Sequence, residues 1–239
     1  MAPLPPDDLL LLFDIDGTLL GGATEAHAAA LTEALREVHG LAALAPARRV
    51  GIDPAGRTDP EIARLLLLAH GVAADRIDAR ADEVRRVCGE RYARRCPPDL
   101  RHTVLPGVPE ALAALAGRAG THLALLTGNY EAVARVKLRA AGIGHWFEAG
   151  QGAFGSDGED RAELPEIARR RAGGPAGPHP RERTVVIGDT PRDIACARAD
   201  GVRCIAVATG RFSAEELAGA DAVAPDATAL PALVDALAA

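Results

Sequence analysis

Short apolar runs mark the predicted strands of this chain. Residues Leu9–Phe13 form an uninterrupted run of five apolar residues that ends abruptly at Asp14. A run of this length with a sharp polar end is typical of a strand buried on both faces. From residue 105 onward, similar runs ending at Thr127, Asp189, Gly210 and Asp226 alternate with helical spacing. This alternation predicts an α/β fold, with a Rossmann-like core whose central parallel sheet is flanked by helices.

A different pattern occupies the stretch between the first strand and residue 105. Residues 26–38, 60–70 and 76–95 have helical spacing, with Thr58 or Asp59 placed to cap the second segment, and nothing there alternates like a strand. We therefore predict a core formed by residues 1–20 and 104–239 and a small all-α cap formed by residues 21–103. The Gly21-Gly22 pair and the Pro97-Pro98 region are the predicted linkers.

Smaller features of the core carry their own predictions. A weak strand is expected near 147–154, a helix over about 161–172, and a further helix starting at Ser213. Asn129 is placed to cap the helix that follows the strand ending at Thr127.

Two carboxylates follow the first strand directly, in the order Asp14, Ile15, Asp16, Gly17, Thr18. The carboxyl edge of an open parallel sheet is where ligands bind. Acids two positions apart suit a division of labour, in which one attacks as a nucleophile or holds a metal and the other exchanges a proton. The structural alternative is an ordinary acidic turn, since Asp and Gly both favour turns.

A second candidate site is Thr127, Gly128 and Asn129, where a predicted strand meets a helix. A hydroxyl, bare backbone amides and the positive end of a helix dipole suit a phosphoryl oxygen. Simple helix capping by Asn129 is the alternative.

The third candidate is formed by Asp189 and Asp193, after the predicted strand of sequence TVVIGD. Asp193 also fits a capping box behind Thr190, whereas Asp189 closes a buried strand and needs a partner. Together with Asp14 and Asp16 it would form an oxygen-rich cluster that favours Mg²⁺.

These three motifs, in this order and each at the end of a strand, resemble those of the haloacid dehalogenase-like hydrolase superfamily. The helical insertion and the stretches LLTGNYEAVARVKLRAAG and VVIGDTPRDIACARADG look like its phosphoglycolate-phosphatase-like subgroup. The resemblance implies a Mg²⁺-dependent phosphatase acting on a small phosphate monoester, phosphoglycolate-like or a sugar phosphate. It further implies an aspartyl-phosphate on Asp14, with Asp16 as general acid and base. The metal would lie between the Asp14 carboxylate, the Asp16 carbonyl and Asp189, with Asp193 in direct or water-mediated contact.

The chain departs from the family at the third motif, where many members carry a lysine. Arg161 occupies nearly that position, and Lys137 is the only lysine in the chain. Lys137 lies about eight residues into its predicted helix, which at 1.5 Å per residue is roughly 12 Å from the end that faces the site. We therefore expect Arg161 to supply the cation, with Lys137 as the alternative, and the residue that does not supply it to have a surface or snorkelling role.

Composition narrows the class of partner. The net charge of −6 argues against nucleic acid or an anionic membrane as the main partner, and no stretch has the length of a signal or spanning segment. We expect a cytoplasmic protein, monomer or homodimer, whose partner is a small phosphorylated metabolite. Arg57 in the predicted cap loop could pair with a substrate carboxylate, although an exposed loop arginine is the simpler interpretation. His27 and His102, one near each linker, are interpreted as incidental.

Two other functions remain open from the residues alone. A phosphomutase of the same superfamily would use the same two acids and differ in a cap that shields the intermediate from water. A regulatory or binding protein that keeps the fold but is catalytically impaired is the alternative from a different class, favoured only by the missing lysine.

Overall fold

The computed structural model describes residues 3–238, and its centre is a six-stranded parallel sheet. The strands lie in the order β3-β2-β1-β4-β5-β6. Their bounds are β1 Leu9–Phe13, β2 Thr121–Thr127, β3 Ala153–Phe154, β4 Thr184–Gly188, β5 Arg203–Val207 and β6 Ala222–Ala224. The predicted α/β class is therefore confirmed.

The apolar run of β1 is explained by its central position in the sheet. Leu9, Leu11 and Phe13 belong to one hydrophobic cluster, and Leu10 and Leu12 belong to another on the opposite face. Alternate side chains of a strand point to opposite faces, so a strand covered on both sides has no polar positions. Within the described residues, nine α-helices cover these clusters or form the insertion: α1 Glu25–His39, α2 Asp59–Ala69, α3 Ala74–Ala79, α4 Ala81–Arg95, α5 Val108–Ala116, α6 Glu131–Ala140, α7 Leu164–Gly173, α8 Pro191–Asp200 and α9 Leu230–Ala238.

Helices α1 to α4 share a third hydrophobic cluster of their own. Leu35, Leu67 and Val87 belong to it, and Tyr130 and Val133 at the start of α6 join it from the sheet side. The insertion is entirely helical, with no strand between residues 21 and 103 in the described part of the chain. We call residues 21–103 the cap and the remainder the core, a division whose limits stay a prediction.

The two chain segments that connect cap and core run side by side. The Gly21 amide donates to the Thr103 carbonyl at 2.8 Å, and the Leu105 amide donates to the Leu19 carbonyl at 3.0 Å. Leu20 and Val104 form an antiparallel bridge between the same segments. The linkers are thus tied to one another at the edge of the core.

Three predicted elements differ from the structure. The helix expected over 76–95 is two helices, because the backbone leaves helical geometry at Arg80, where no glycine or proline marks the break. The helix expected from Ser213 ends after a single turn: Ser213 and Glu216 cap it, but Gly219 and Asp221 lead straight into β6. The strand expected near 147–154 is limited to Ala153–Phe154.

Between residues 3 and 238, no helix is both long enough and apolar enough to cross a bilayer.

Candidate active site

The candidate site lies where the central strands of the sheet end. Asp14 directly follows β1, Thr127 ends β2 and Asp189 directly follows β4, and β2 and β4 are the two neighbours of β1. The Asp14 amide donates to the Ile187 carbonyl of β4 at 2.9 Å, which fixes its position at this edge. The chain runs outward from β1 in both directions, so the edge is a topological switch point, where open α/β sheets bind ligands.

Three buried carboxylates meet at this edge. Oxygen atoms of Asp14, Asp189 and Asp193 lie within 4.8 Å of one another. Burial raises the pKa of Asp14 to about 6, although Arg161 acts in the opposite direction. Burial, with the neighbouring Asp14 and Asp193, raises the pKa of Asp189 to about 8. The three carboxylates therefore carry more negative charge than the neighbouring Arg161 can neutralise.

Backbone without side chains encloses the carboxylate of Asp189. Gly17 has φ of 95°, and a Cβ at this residue would lie 2.1 Å from Asp189 Oδ2. A Cβ at Gly210 would lie 1.8 Å from the same oxygen. On the other side of the carboxylate, the Thr18 hydroxyl donates to Oδ1 at 3.2 Å. Glycine is required at residue 17 by both the backbone angle and the available space.

Asp193 has the predicted structural role and a further contact. Its carboxylate accepts hydrogen bonds from the Thr190 amide at 3.0 Å and the Thr190 hydroxyl at 2.7 Å, within the capping box of α8. Its second oxygen accepts from the guanidinium of Arg161. The expected capping box is confirmed, and it places Asp193 against Arg161.

Arg161 is buried beside Asp14. Its Nη2 lies 3.3 Å from Asp14 Oδ1, and its Nη1 donates to the Gly56 carbonyl of the cap at 3.3 Å. The side chain thus links both acids of the core to a cap loop.

Lys137 also reaches the site, so the expectation that it lies too far away is wrong. Its Nζ donates to both carboxylate oxygens of Asp16, at 2.9 and 2.8 Å, and its side chain is 0% exposed. Helix α6 begins at Glu131, so Lys137 is six rather than eight positions into the helix. Side chains on a helix also lean toward its amino end, which shortens the remaining path.

Asn129 does not cap α6, so the expectation of simple helix capping by this residue is wrong. The residue preceding the helix is Tyr130, and its side chain makes no capping hydrogen bond. The Asn129 amide group donates to Asp16 Oδ2 and to the hydroxyl of Thr127, each at 3.0 Å, and its oxygen accepts from Lys137 at 2.9 Å. Asn129 and Lys137 together orient Asp16.

The carboxylate of Asp16 points away from the acidic cluster, and among the described residues the cluster contains only the other three acids. Its pKa is lowered because Lys137 and His27 outweigh the opposing effect of burial. Asp16 is thus held as an anion beside a lysine, whereas Asp14 is held beside an arginine.

A cap loop lies directly on the loop that follows β2. The Asp59 amide donates to the Gly128 carbonyl at 2.7 Å, and a Cβ at Gly128 would lie 2.1 Å from the Arg57 carbonyl. Asp59 in turn accepts from the Tyr130 amide at 2.7 Å and contacts His27 Nε2 at 2.9 Å. Cap and core therefore meet over the predicted phosphate-binding residues.

A cavity of about 600 Å³ opens above these residues, between cap and core. Asp14, Asp16, Gly128 and Asn129 form part of its floor, and His27 is in its cap wall. Arg57 also lines it, partly buried and paired with Glu61, rather than standing exposed on a loop. His102 is exposed and does not line the cavity.

No local pattern indicates that His27 and Asp59 meet, because the two residues are 32 positions apart on different helices. Gly56 and Gly210 were missed for the same reason, since only the tertiary fold brings their backbones to Arg161 and Asp189.

Comparisons with known proteins agree with this geometry. A family model for haloacid dehalogenase-like hydrolases matches residues 11–198. A phosphoglycolate phosphatase of Mesorhizobium japonicum is 32% identical over 207 residues, 84% of this chain and 83% of that protein. A Dickeya dadantii protein named "Probable phosphatase IndB" is 30% identical over 213 residues, 89% of this chain and 86% of that protein.

Solved structures share the fold. A hydrolase from Pseudomonas syringae superposes with a TM-score of 0.65 at 22% identity, over 97% of this chain and 100% of that one. The family model covers most of this chain, and both relatives align with more than four fifths of it. The chain belongs to the haloacid dehalogenase-like hydrolases, in the subgroup similar to phosphoglycolate phosphatases, and is an enzyme of the phosphatase type.

Proposed function

We propose that this protein is a Mg²⁺-dependent phosphatase that hydrolyses a small phosphate monoester through an aspartyl-phosphate on Asp14. The observation that carries the proposal is the position of Asp14, buried beside Arg161 and Asp189 at the floor of the cavity. A carboxylate in this position can attack a phosphorus atom that enters from the cavity.

The donor set fits a hard divalent cation. The cluster offers carboxylate oxygens only, and the backbone around Asp189 leaves no space for a Cβ. Asp14 and Asp189 would hold Mg²⁺, with the backbone carbonyl of Asp16. Asp193 would act directly or through water, because its oxygens already accept from Thr190 and Arg161. When bound, the ion supplies positive charge that neutralises the phosphoryl oxygens.

The first half of the reaction uses Asp14 and Asp16 in turn. An oxygen of Asp14 forms a bond to phosphorus as the bond from phosphorus to the ester oxygen breaks. Asp16 takes up a proton when the negatively charged phosphate binds beside it, and gives that proton to the departing alkoxide, which leaves as the alcohol. In the second half, Asp16 takes a proton from a water molecule that attacks the phosphorus, and inorganic phosphate leaves with Asp14 restored.

Basic and amide groups around the cavity floor would stabilise the transferring group. Arg161 is close enough to Asp14 to contact an oxygen of the phosphoryl group it receives. The Gly128 amide, which lines the cavity, would contact another oxygen at the end of β2. The Thr127 hydroxyl is fully buried and accepts from the Asn129 side chain at 3.0 Å, so it could contact a phosphoryl oxygen only after local rearrangement. Lys137 would hold Asp16 in place with Asn129, a role distinct from that of Arg161.

The test is hydrolysis of p-nitrophenyl phosphate with and without Mg²⁺. We expect turnover by the wild-type protein that requires the metal, and a loss of at least about 10³-fold in Asp14→Asn, because the nucleophile is removed. Asp82→Asn, an exposed acid of the cap, is the matched control and should keep full activity. Equal rates in wild type and Asp14→Asn would contradict the proposal.

The phosphomutase alternative is separated by the product. A phosphatase releases inorganic phosphate from a sugar phosphate, whereas a mutase interconverts isomers and releases none. Family membership and the intact acids favour an enzyme over the impaired binding protein.

A further inference from the structure

We infer that the alcohol part of the substrate carries an uncharged ring, which packs against the cap wall of the cavity. This inference rests on the proposed function and narrows its substrate class. It is carried by the size of the cavity, the apolar part of its cap wall and the pairing of the basic side chains around it.

The cavity is larger than a two-carbon phosphate ester requires. Its volume of about 600 Å³ falls within the range of roughly 300–1,000 Å³ found for pockets that enclose drug-sized ligands. A space of this size corresponds to roughly 20 molecules of liquid water at about 30 Å³ each. A phosphoryl group at Asp14 occupies only the floor, and the rest is available to the alcohol.

Most of the cap wall that faces this remaining space is apolar, although polar side chains such as His27 also line it. Leu31 is contributed by α1, and Ile62 and Leu66 are contributed by α2. Ile62 and Leu66 are four positions apart and therefore lie on the same face of their helix. Apolar walls favour a ligand that removes apolar surface from water.

The basic side chains of the cavity are already paired or lie at its edge. Arg57 forms an ion pair with Glu61 and donates to the Asp53 carbonyl at 2.9 Å. Arg211 forms an ion pair with Asp53. Arg48 is exposed at the rim. Inside the cavity, a carboxylate on the substrate would have to displace Glu61 or Asp53, and only at the rim, beside Arg48, would it meet a cation without doing so. An uncharged ring leaves both ion pairs intact.

The inference is tested with three phosphate monoesters that all leave as primary alkoxides: benzyl phosphate, ethyl phosphate and 2-phosphoglycolate. We expect kcat/KM for benzyl phosphate to exceed the values for the other two by at least about tenfold, because only the benzyl group covers the apolar wall. A preference for 2-phosphoglycolate, or equal values for benzyl and ethyl phosphate, would overturn the inference and leave the phosphatase proposal standing.

A substitution in the wall links the preference to the cap. Ile62→Thr keeps a branched Cβ but replaces the ethyl group with a hydroxyl, which removes apolar surface from the wall. It should lower the ratio of benzyl to ethyl kcat/KM by about fivefold, mainly through KM. Leu68→Thr is the matched control, because Leu68 is 45% exposed on the same helix and should leave the ratio unchanged. An unchanged ratio in Ile62→Thr would overturn the inference. No turnover of any of these esters, nor of p-nitrophenyl phosphate, would overturn the proposed function and the inference with it.

Discussion

Lys137 and Arg161 each neutralise one of the two acids that follow β1. Lys137 contacts the carboxylate of Asp16, and Arg161 contacts that of Asp14. The sequence suggested a competition between these cations for one role, and the structure places each beside a different acid. Removing one cation should therefore affect a different step from removing the other.

Replacement of Lys137 by methionine tests its proposed role at Asp16. The lysine lowers the pKa of Asp16, so its removal should raise that pKa and shift the acid limb of the kcat profile to higher pH by at least about one unit. We also expect kcat to fall by about 10²-fold. The measurement is a pH–rate profile with p-nitrophenyl phosphate.

The control is Arg139→Met, which removes a positive charge from the exposed side of the same helix. Its profile should match that of the wild type. An unshifted acid limb in Lys137→Met would mean that the lysine does not control the ionisation of Asp16.

At the residue scale, the sequence predicts which residues of the candidate site meet when they lie at the ends of predicted strands. Asp14, Thr127 and Asp189 come together because parallel strands place their carboxyl ends at one edge. The directions of the side chains could not be predicted. Asp16 turns toward Lys137 and Asn129 rather than toward Asp189. This direction depends on where α6 starts and where Asn129 lies, and both are determined by tertiary packing rather than by a local sequence pattern.

At the scale of elements, one contact between loops brings the cap over the site. The loop preceding α2 lies against Gly128, with no space for a side chain between Gly128 and the Arg57 carbonyl. The role of this glycine is close approach of two backbones.

Gly128→Ala should disturb that contact. A Cβ 2.1 Å from the Arg57 carbonyl must displace the cap loop, so we expect kcat/KM to fall by at least about tenfold while the protein stays folded. Steady-state kinetics and a thermal melt measure the two effects. Gly219→Ala is the control, because its Cβ would meet only the flexible end of Arg198 at 3.4 Å. Equal losses in both variants would argue against a specific contact.

The strands and most helices could be predicted from periodicity, because burial of both sheet faces leaves a clear apolar run in the sequence. The exceptions were ends and breaks. Arg80 interrupts a stretch of good helix formers without a local signal, and the turn at Ser213 has proper caps yet ends early because β6 must start close behind it. Tertiary constraints decided both.

At the scale of the whole molecule, the acidic cluster links pH to stability. Asp14 and Asp189 have raised pKa values in the folded protein, about 6 and about 8. Between the ordinary pKa of an aspartate and these values, the folded state binds more protons than the unfolded state. Stability of the metal-free protein must therefore fall as pH rises through this range.

We expect the melting temperature without divalent ions to fall between pH 5 and pH 8 by at least roughly 2–4 °C, which corresponds to about 1 kcal/mol for a chain of this size. Millimolar Mg²⁺ should remove the decrease, because the ion binds the deprotonated carboxylates. Asp189→Asn should flatten the metal-free dependence, and Asp82→Asn should not. A melting temperature that rises with pH in the absence of metal would contradict the assignment.

The paired linkers restrict how the cap can move as one body. The chain passes between core and cap twice, and hydrogen bonds between Gly21 and Thr103 and between Leu105 and Leu19 hold the two linkers side by side. Two adjacent linkers constrain the cap, whereas a single linker would allow it to rotate freely. We expect the cap to open by rotation about a single hinge axis, which would move the Gly56 carbonyl away from Arg161 and uncover Gly128 at the same time. Substrate entry and the loss of the cap contact of Arg161 would then occur in one motion.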